Sequence, residues 1–295
     1  MHPRTPLSSK QSKNFREKKR IQFAAKLILG VVVGGLFLFL VSYMSSVSAL
    51  TITDIEVIGL DKEHVPQFRA AALKSLEGKY LGLFSRSNTF LFPHEELYAL
   101  ARAYPETDAV TFQRSGFDRV IATITEKEQH ALVCTTLPDF TGALLSPDPE
   151  GACYFSDATG FIFKQAPSFS DTVYRRFYFP DLVVTPSREG GVGVFATSTT
   201  EFERITSVHE ALSAHGIVVE ATLSKGNNEY ELYAHNPAPD ASIVVVYFNT
   251  TVSTAEQVSN LISFWDHAVA AARAKGESVS FESIDVRYGA NVFYR

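Results

Sequence analysis

Two His-Glu pairs, His94-Glu95 and His209-Glu210, are the residues of this chain that most invite a chemical reading. A metalloprotease helix needs a second histidine one turn after the first, so that both imidazoles face one ion. Tyr98 and Ser213 hold those places, so neither pair is expected to bind metal. The eight histidines are otherwise scattered. There is no G-x-S-x-G elbow and no P-loop, and Gly190-Gly191-Val192-Gly193 lacks the spacing and setting of a dinucleotide fingerprint. Glu126 and Glu128 share one strand face without making an acid-base couple, and read as solvated charges. Asn249-Thr250-Thr251 matches a glycosylation sequon, which matters only in a host that modifies secreted asparagines. The expectation is a chain that is not an enzyme and has no cofactor, metal or small-molecule substrate.

With chemistry thin, the elements that position surfaces matter more. Leu27 to Leu50 carries no charged residue and is long enough, at about 1.5 Å per residue, to span the roughly 30 Å core of a bilayer. It is predicted to be one transmembrane helix. Gly30 and Gly34 lie inside it at G-x-x-x-G spacing, a face that would let a second helix approach closely. The preceding residues 1–26 are rich in Lys and Arg, whereas the net charge of the whole chain is -5, so the acidic excess lies after the helix. That asymmetry predicts a cytoplasmic N-terminus and a large extracytoplasmic part, and it accounts for the basic run without nucleic acid. Val47-Ser48-Ala49 has the small residues of a signal-peptidase site, but the polar leader is long and the apolar core exceeds the usual 7–15 or so residues, so an uncleaved anchor is the reading. The leader through Arg20 is expected to be disordered. Cys134 and Cys153 are the two cysteines, and an oxidising compartment would let them bridge a loop containing Pro138, Gly142, Pro147, Pro149 and Gly151; unpaired thiols are the alternative.

Periodicity supplies the rest. Thr51–Ile58 alternates as a strand, His64–Leu76 has helical spacing, and a second helix starts near Pro93 with Leu97, Leu100, Ala101 and Tyr104 on one side. Strands at Ala109–Arg114 and Arg119–Glu126 follow, giving β-α-α-β-β. Further on, a hairpin is predicted at Tyr154–Phe163 with Gly160 in its turn, then a helix from Thr200 to His215 with Thr200 and Glu203 at capping-box spacing. Strands at 217–223, 230–233 and 243–248 precede a helix capped by Ser253 and Glu256 and stopped by Gly276. The fold class is α+β: one N-terminal transmembrane helix, a β-α-α-β-β domain, and a β-rich domain with two helices.

The last segments, Phe281–Tyr288 and Val292–Arg295, are β-prone and aromatic. An edge strand there could take a partner strand by β-augmentation, with Ile284, Val286, Tyr288, Val292, Phe293 and Tyr294 giving contact area and Arg287 fixing register. The competing reading is that they complete the domain's own sheet.

The order of these parts resembles the FtsQ/DivIB family of bacterial cell-division proteins. The similar pieces are Ile52-Thr53-Asp54-Ile55-Glu56-Val57-Ile58-Gly59, Asn88-Thr89-Phe90-Leu91, Val110-Thr111-Phe112-Gln113-Arg114, the Tyr154–Phe163 hairpin and the Ile284-Asp285-Val286-Arg287-Tyr288 strand. Thr125-Glu126-Lys127 stands where the family typically has a Glu-Arg pair, and the cysteine loop also departs from its pattern. The resemblance implies a POTRA domain at 51–127 and an FtsQ-type β domain at 128–295, following a cytoplasmic tail at 1–26 and the membrane helix at 27–50. It implies a single-pass scaffold at the division septum that binds FtsB/FtsL-like membrane proteins, with FtsB received partly by the C-terminal strands. A POTRA-containing envelope assembly or transport accessory is the rival function.

Overall fold

The apolar stretch and the good helix formers before it form one continuous helix. The computed structural model describes residues 9–137, 153–168, 173–185, 192–236 and 242–295. The loop prolines and glycines expected between the cysteines, together with Gly190 and Gly191, lie outside these ranges. Helix α1 spans Ser9–Ser45, and its portion Lys18–Ser45 is long and apolar enough to cross a membrane. It therefore begins inside the leader that sequence reading leaves disordered. Lys, Arg, Gln, Glu and Ala make up most of residues 10–26, and such residues let a helix propagate outward from an apolar nucleus at little cost.

The described residues fall into two units, Met1–Ala101 with Val110–Ile124, and Arg102–Ala109 with Thr125–Arg295. In the first, β1 (Asp54–Ile58), α2 (Val65–Ser75), the short hairpin β2 (Lys79–Tyr80) and β3 (Phe84–Ser85), α3 (His94–Arg102), β4 (Thr107–Ser115) and β5 (Arg119–Glu126) follow in order. The sheet order is β1-β5-β4, with β1 parallel to β5 and Ile55 opposite Val120. Val120, Ala122 and Ile124 are buried at one-in-two spacing on β5 beside Ile55 of β1, and Phe68 with Ala72 and Leu97 with Ala101 are buried at the four-residue spacing of one helix face. One sheet face and two helix faces thus supply the core of this unit.

The second unit has β6 (Ala131–Cys134), β7 (Cys153–Ser156), β8 (Phe161–Gln165), β9 (Arg175–Tyr178), β10 (Val194–Phe195), α4 (Thr199–Ala214), β11 (Val219–Gly226), β12 (Glu229–His235), β13 (Ile243–Asn249), α5 (Thr254–Lys275), β14 (Ser283–Tyr288) and β15 (Asn291–Tyr294). All twelve except the two helices join one sheet, ordered β10-β8-β7-β6-β9-β11-β12-β13-β14-β15. Phe202, Ile205 and Leu212 of α4 and Val258, Leu261 and Trp265 of α5 pack with Phe177, Leu232, Val246, Ile284 and Val286 into the main core. Burying side chains of this size stabilises by about 1.5–3 kcal/mol each. A second cluster, including Leu132, Cys134, Cys153, Phe155, Tyr178 and Leu223, forms where these strands turn their other side chains.

Two helix caps differ in outcome. Ser253 caps α5 by accepting the Glu256 N–H at 3.3 Å, and Gly276 ends the helix in the left-handed region. Helix α4 starts earlier than its Thr200-Glu203 spacing suggests: Ser198 is the cap and accepts from the Glu201 N–H. Glu201 has a second task that favours this register, because its carboxylate accepts from the hydroxyls of Tyr230 at 2.6 Å and Thr197 at 2.6 Å.

Candidate functional site

The terminal hairpin β14–β15 divides the expected contact residues by the pleat of the strand. Ile284 and Val286 are 0% and 2% exposed and belong to the main core, so their side chains offer no contact area to a partner. This corrects the expectation for both, and the cause is the period of two that sends alternate residues beneath α5. Tyr288, Phe293 and Tyr294 are 60%, 57% and 64% exposed. Val292 is half-buried against the main core. Phe293 meets Tyr288 edge-on with ring centres 5.7 Å apart, whereas Tyr294 lies 4.9 Å from the ring of Phe264 and 5.9 Å from that of Phe281. Both faces of the hairpin therefore carry aromatic surface at its margin.

Strand β15 has one strand neighbour among the described residues, β14. The Arg295 N–H donates to the Ser283 carbonyl at 3.0 Å, and its carbonyl accepts from the Glu282 N–H at 2.8 Å. Phe293 pairs with Asp285 in the same phase. Alternation along an antiparallel ladder then turns the N–H and C=O groups of Val292 and Tyr294 away from β14. These are the groups an added strand would bond.

Arg287 is committed within its own sheet. Its Nη2 lies 2.6 Å from Asp285 Oδ2 and its Nε 3.0 Å from Asp285 Oδ1, while Nη1 reaches Glu229 Oε2 at 3.2 Å. The guanidinium also sits over the rings of Tyr247 at 5.3 Å and Tyr288 at 5.7 Å. The Asp285 hydrogen bonds raise its pKa above the ordinary arginine value, against the opposing effect of burial. Arg287 thus braces the strand pair and orients Tyr288, a different job from setting a partner's register. Asp285 and Glu229 were not singled out from sequence, although the i, i+2 spacing of Asp285 and Arg287 places them on one strand face. Asn260 of α5 adds a further tie, donating to the Gly289 carbonyl at 2.8 Å and pinning the hairpin turn.

The residues with chemical potential are scattered. His94 stacks on Phe92, with ring centres 3.8 Å apart, and Glu95 is exposed. His209 is 3% exposed, its ring lies 5.8 Å from Phe177, and neither ring nitrogen has a hydrogen-bond partner among the described residues. Burial first, and the positive charge of Arg175 second, push its pKa down to about 4. Glu210 instead turns outward and pairs with Arg175 at 3.0 Å. Glu126 lies 3.9 Å from the ammonium of Lys164. Among the described residues no group of three or more His, Cys, Asp or Glu side chains is arranged to hold a metal ion.

Cys134 and Cys153 stand opposite each other on β6 and β7 and are joined as a disulfide, with the sulfurs 2.02 Å apart. Near it in sequence, Asp157 organises the β7–β8 turn. Its carboxylate accepts from the N–H groups of Thr159 at 2.9 Å and Phe161 at 3.2 Å, and from Lys127 Nζ at 3.1 Å. Burial alone would raise the Asp157 pKa, but these bonds, led by that from the Thr159 side chain, outweigh it and hold the carboxyl below its usual value. Along α1, Gly30 and Gly34 are open: nothing stands within 4 Å of where a Cβ would be.

The chain matches no family model, and no curated protein matches it.

Proposed function

We propose that this chain is a single-pass scaffold of the bacterial division machinery, of the FtsQ/DivIB type, that works by binding and not by catalysis. In this reading α1 anchors the protein with its N-terminus in the cytoplasm, the β1–β5 region is a POTRA-type domain, and the second unit is the FtsQ-type β domain. The order β1-β5-β4, with the last strand inserted in the middle and parallel to the first, is compatible with that assignment. The partners are FtsB/FtsL-like membrane proteins gathered at the septum, and the Gly30–Gly34 face is a candidate contact inside the bilayer.

The observation that carries the reading is the free outer edge of β15, whose Val292 and Tyr294 backbone groups face away from the sheet between exposed aromatic side chains. An extended partner segment would gain main-chain bonds from that edge and apolar contact from Tyr288, Phe293 and Tyr294. Val292→Pro removes one outward donor while leaving the bonds to β14 intact, because proline is tolerated where the N–H faces outward on an edge. Co-purification of an FtsB-like membrane partner with the full-length variant is expected to fall at least tenfold with the fold retained by circular dichroism. Unchanged capture would overturn the edge assignment, and a fluorescent fusion spread evenly over the cell envelope would overturn the septal role.

A further inference from the structure

We propose that the β2–β3 hairpin is a second membrane contact, its tip Leu81-Gly82-Leu83 resting in the interfacial layer of the bilayer beside α1. The inference rests on α1 spanning the membrane and on no partner protein.

The position follows from three bonds between the hairpin region and the end of α1. Ser42 Oγ donates to the Leu83 carbonyl at 2.5 Å, the Ser85 N–H donates to Ser45 Oγ at 3.2 Å, and Asn88 Nδ2 donates to the Ser45 carbonyl at 3.0 Å. Ser45 is buried by this contact in a helix whose other faces are open. Residue 85 therefore lies level with residue 45, and residue 83 level with residue 42. Passing from Ser85 to Leu83 moves back along α1 toward Leu27, so the hairpin points down the helix and its tip lies further that way still.

That direction leads into the bilayer. A run starting at Leu27 needs about 20 residues to cross the hydrocarbon core, which places the far boundary near Ser46. Ser42 is one helical turn inside that boundary, roughly 6 Å. The tip is thus set at the depth where interfacial segments bury their apolar side chains, about 5–10 Å into the headgroup and acyl boundary.

The residues suit that depth and not water. Leu81 is 93% exposed and Leu83 is 43% exposed, and Tyr80 and Lys79 follow at the base, where an amphipathic ring and a snorkelling ammonium meet headgroups. At the base of the turn the backbone is paired, the Leu83 N–H donating to the Tyr80 carbonyl at 2.9 Å and the Leu83 carbonyl accepting from Ser42, and the turn residues Leu81 and Gly82 lie where the hydrated headgroups can serve their own backbone groups.

The turn chemistry is the independent sign. Leu81 and Gly82, in the three-residue loop 81–83 between the paired Tyr80 and Phe84, have φ of 50° and 73°, successive positive values that Asn-Gly or Asp-Gly adopts readily. Leucine is a poor choice there, since a branched side chain at positive φ is strained. In water Asn at position 81 would make the better hairpin. A leucine that is wrong for the turn and has no protein neighbour covering it is explained by contact with lipid.

This contrast sets the sign of the test. The full-length protein is placed in phospholipid nanodiscs without any partner, and insertion is checked by flotation of the same preparation with lipid vesicles. Amide hydrogen exchange is then followed in the peptide 79–86 for the natural chain and for Leu81→Asn. Lipid contact predicts exchange several-fold slower in the natural chain, despite its poorer turn residue. Equal rates, or slower exchange in Leu81→Asn, mean that turn stability alone governs the segment and overturn the proposal. A chain that fails to float overturns the spanning of α1 itself, a different failure from that of the hairpin.

Discussion

The ten-stranded sheet has two ends that are built in opposite ways. At one, β10 is two residues long, and the β7–β8 turn beside it is tied by the four donors that Asp157 receives from Thr159, Phe161 and Lys127. The Lys127 ammonium also lies over the Phe161 ring at 5.3 Å. At the other end, β14 and β15 expose Tyr288, Phe293 and Tyr294, and β15 turns backbone donors and acceptors outward. Short edge strands and well-placed charges are the usual means of stopping unwanted strand addition. Strand β15 is also short, at four residues, and Arg287 and Arg295 bring charges to its end of the sheet, but its outward backbone groups lie between exposed aromatic rings, so the contrast between the two ends is one of apolar surface beside the edge.

The largest effect is expected where the closed end meets the core. Gly160 has φ of 80°, and a Cβ there would stand 2.5 Å from Cγ of Phe202, which is fully buried on α4. Gly160→Ala combines left-handed strain with overpacking and should cost about 3 kcal/mol. In thermal unfolding of the purified chain this corresponds to a loss of roughly 6–12 °C. A change of a degree or two would mean that the closed end is looser than its contacts imply.

Acid should separate the two ends more gradually. His209 sits on α4 with a folded pKa near 4, below its unfolded value. Between those values the unfolded chain holds the extra proton, so stability is complete above about pH 6.5 and falls by about 1.4 kcal/mol per pH unit, approaching 3 kcal/mol by pH 4. His209→Leu removes the titrating group and two unpartnered nitrogens, so it should flatten this profile at little or no cost near pH 7. Hydrogen exchange at pH 5 should rise first around α4 and β9, where His209 packs on Phe177, and less in β14 and β15. Loss of protection at both ends together would show that the sheet responds as one cooperative piece.

What was legible in the sequence follows the same physics. Helix α5 was clear because Ser253, Glu256 and Gly276 mark its ends and Val258, Leu261 and Trp265 recur on one side. Strands β4, β5 and β12 to β14 announced themselves by alternation or apolar content. Strand β6 did not: Ala131-Leu132-Val133-Cys134 is buried on both faces, so it lacks the polar phase that distinguishes a strand from any short apolar run. The hairpin β2–β3 was missed because Leu81 occupies the turn position where Asn or Asp would have signalled it. At the terminal hairpin, residue types showed an aromatic strand, but which side chains were core depended on α5 lying beneath Ile284 and Val286, a long-range fact that local pattern does not contain. Arg287 was visible, yet its partner Glu229 is 58 positions away and only the β12-β13-β14 order brings it near.

A small stability effect, and the sharpest functional one, belongs to Phe293→Ala. Phe293 is more than half exposed and its ring touches that of Tyr288 edge-on, so truncation forfeits one aromatic pair worth about 0.5–1.5 kcal/mol and little burial. Unfolding midpoints should therefore move by only a few degrees, far less than for Gly160→Ala. If the β15 edge is the docking strip, the same change should weaken capture of the FtsB-like partner tenfold or more, because buried aromatics dominate interface energetics. Phe195→Ala at the other end is the matched control: Phe195 is 47% exposed and makes a similar edge-on contact with Phe161 at 5.1 Å. Its stability cost should be comparable and its effect on capture negligible. Equal loss of capture from the two variants would erase the asymmetry between the ends of the sheet, whereas loss from Phe293→Ala alone would tie binding to the β15 edge.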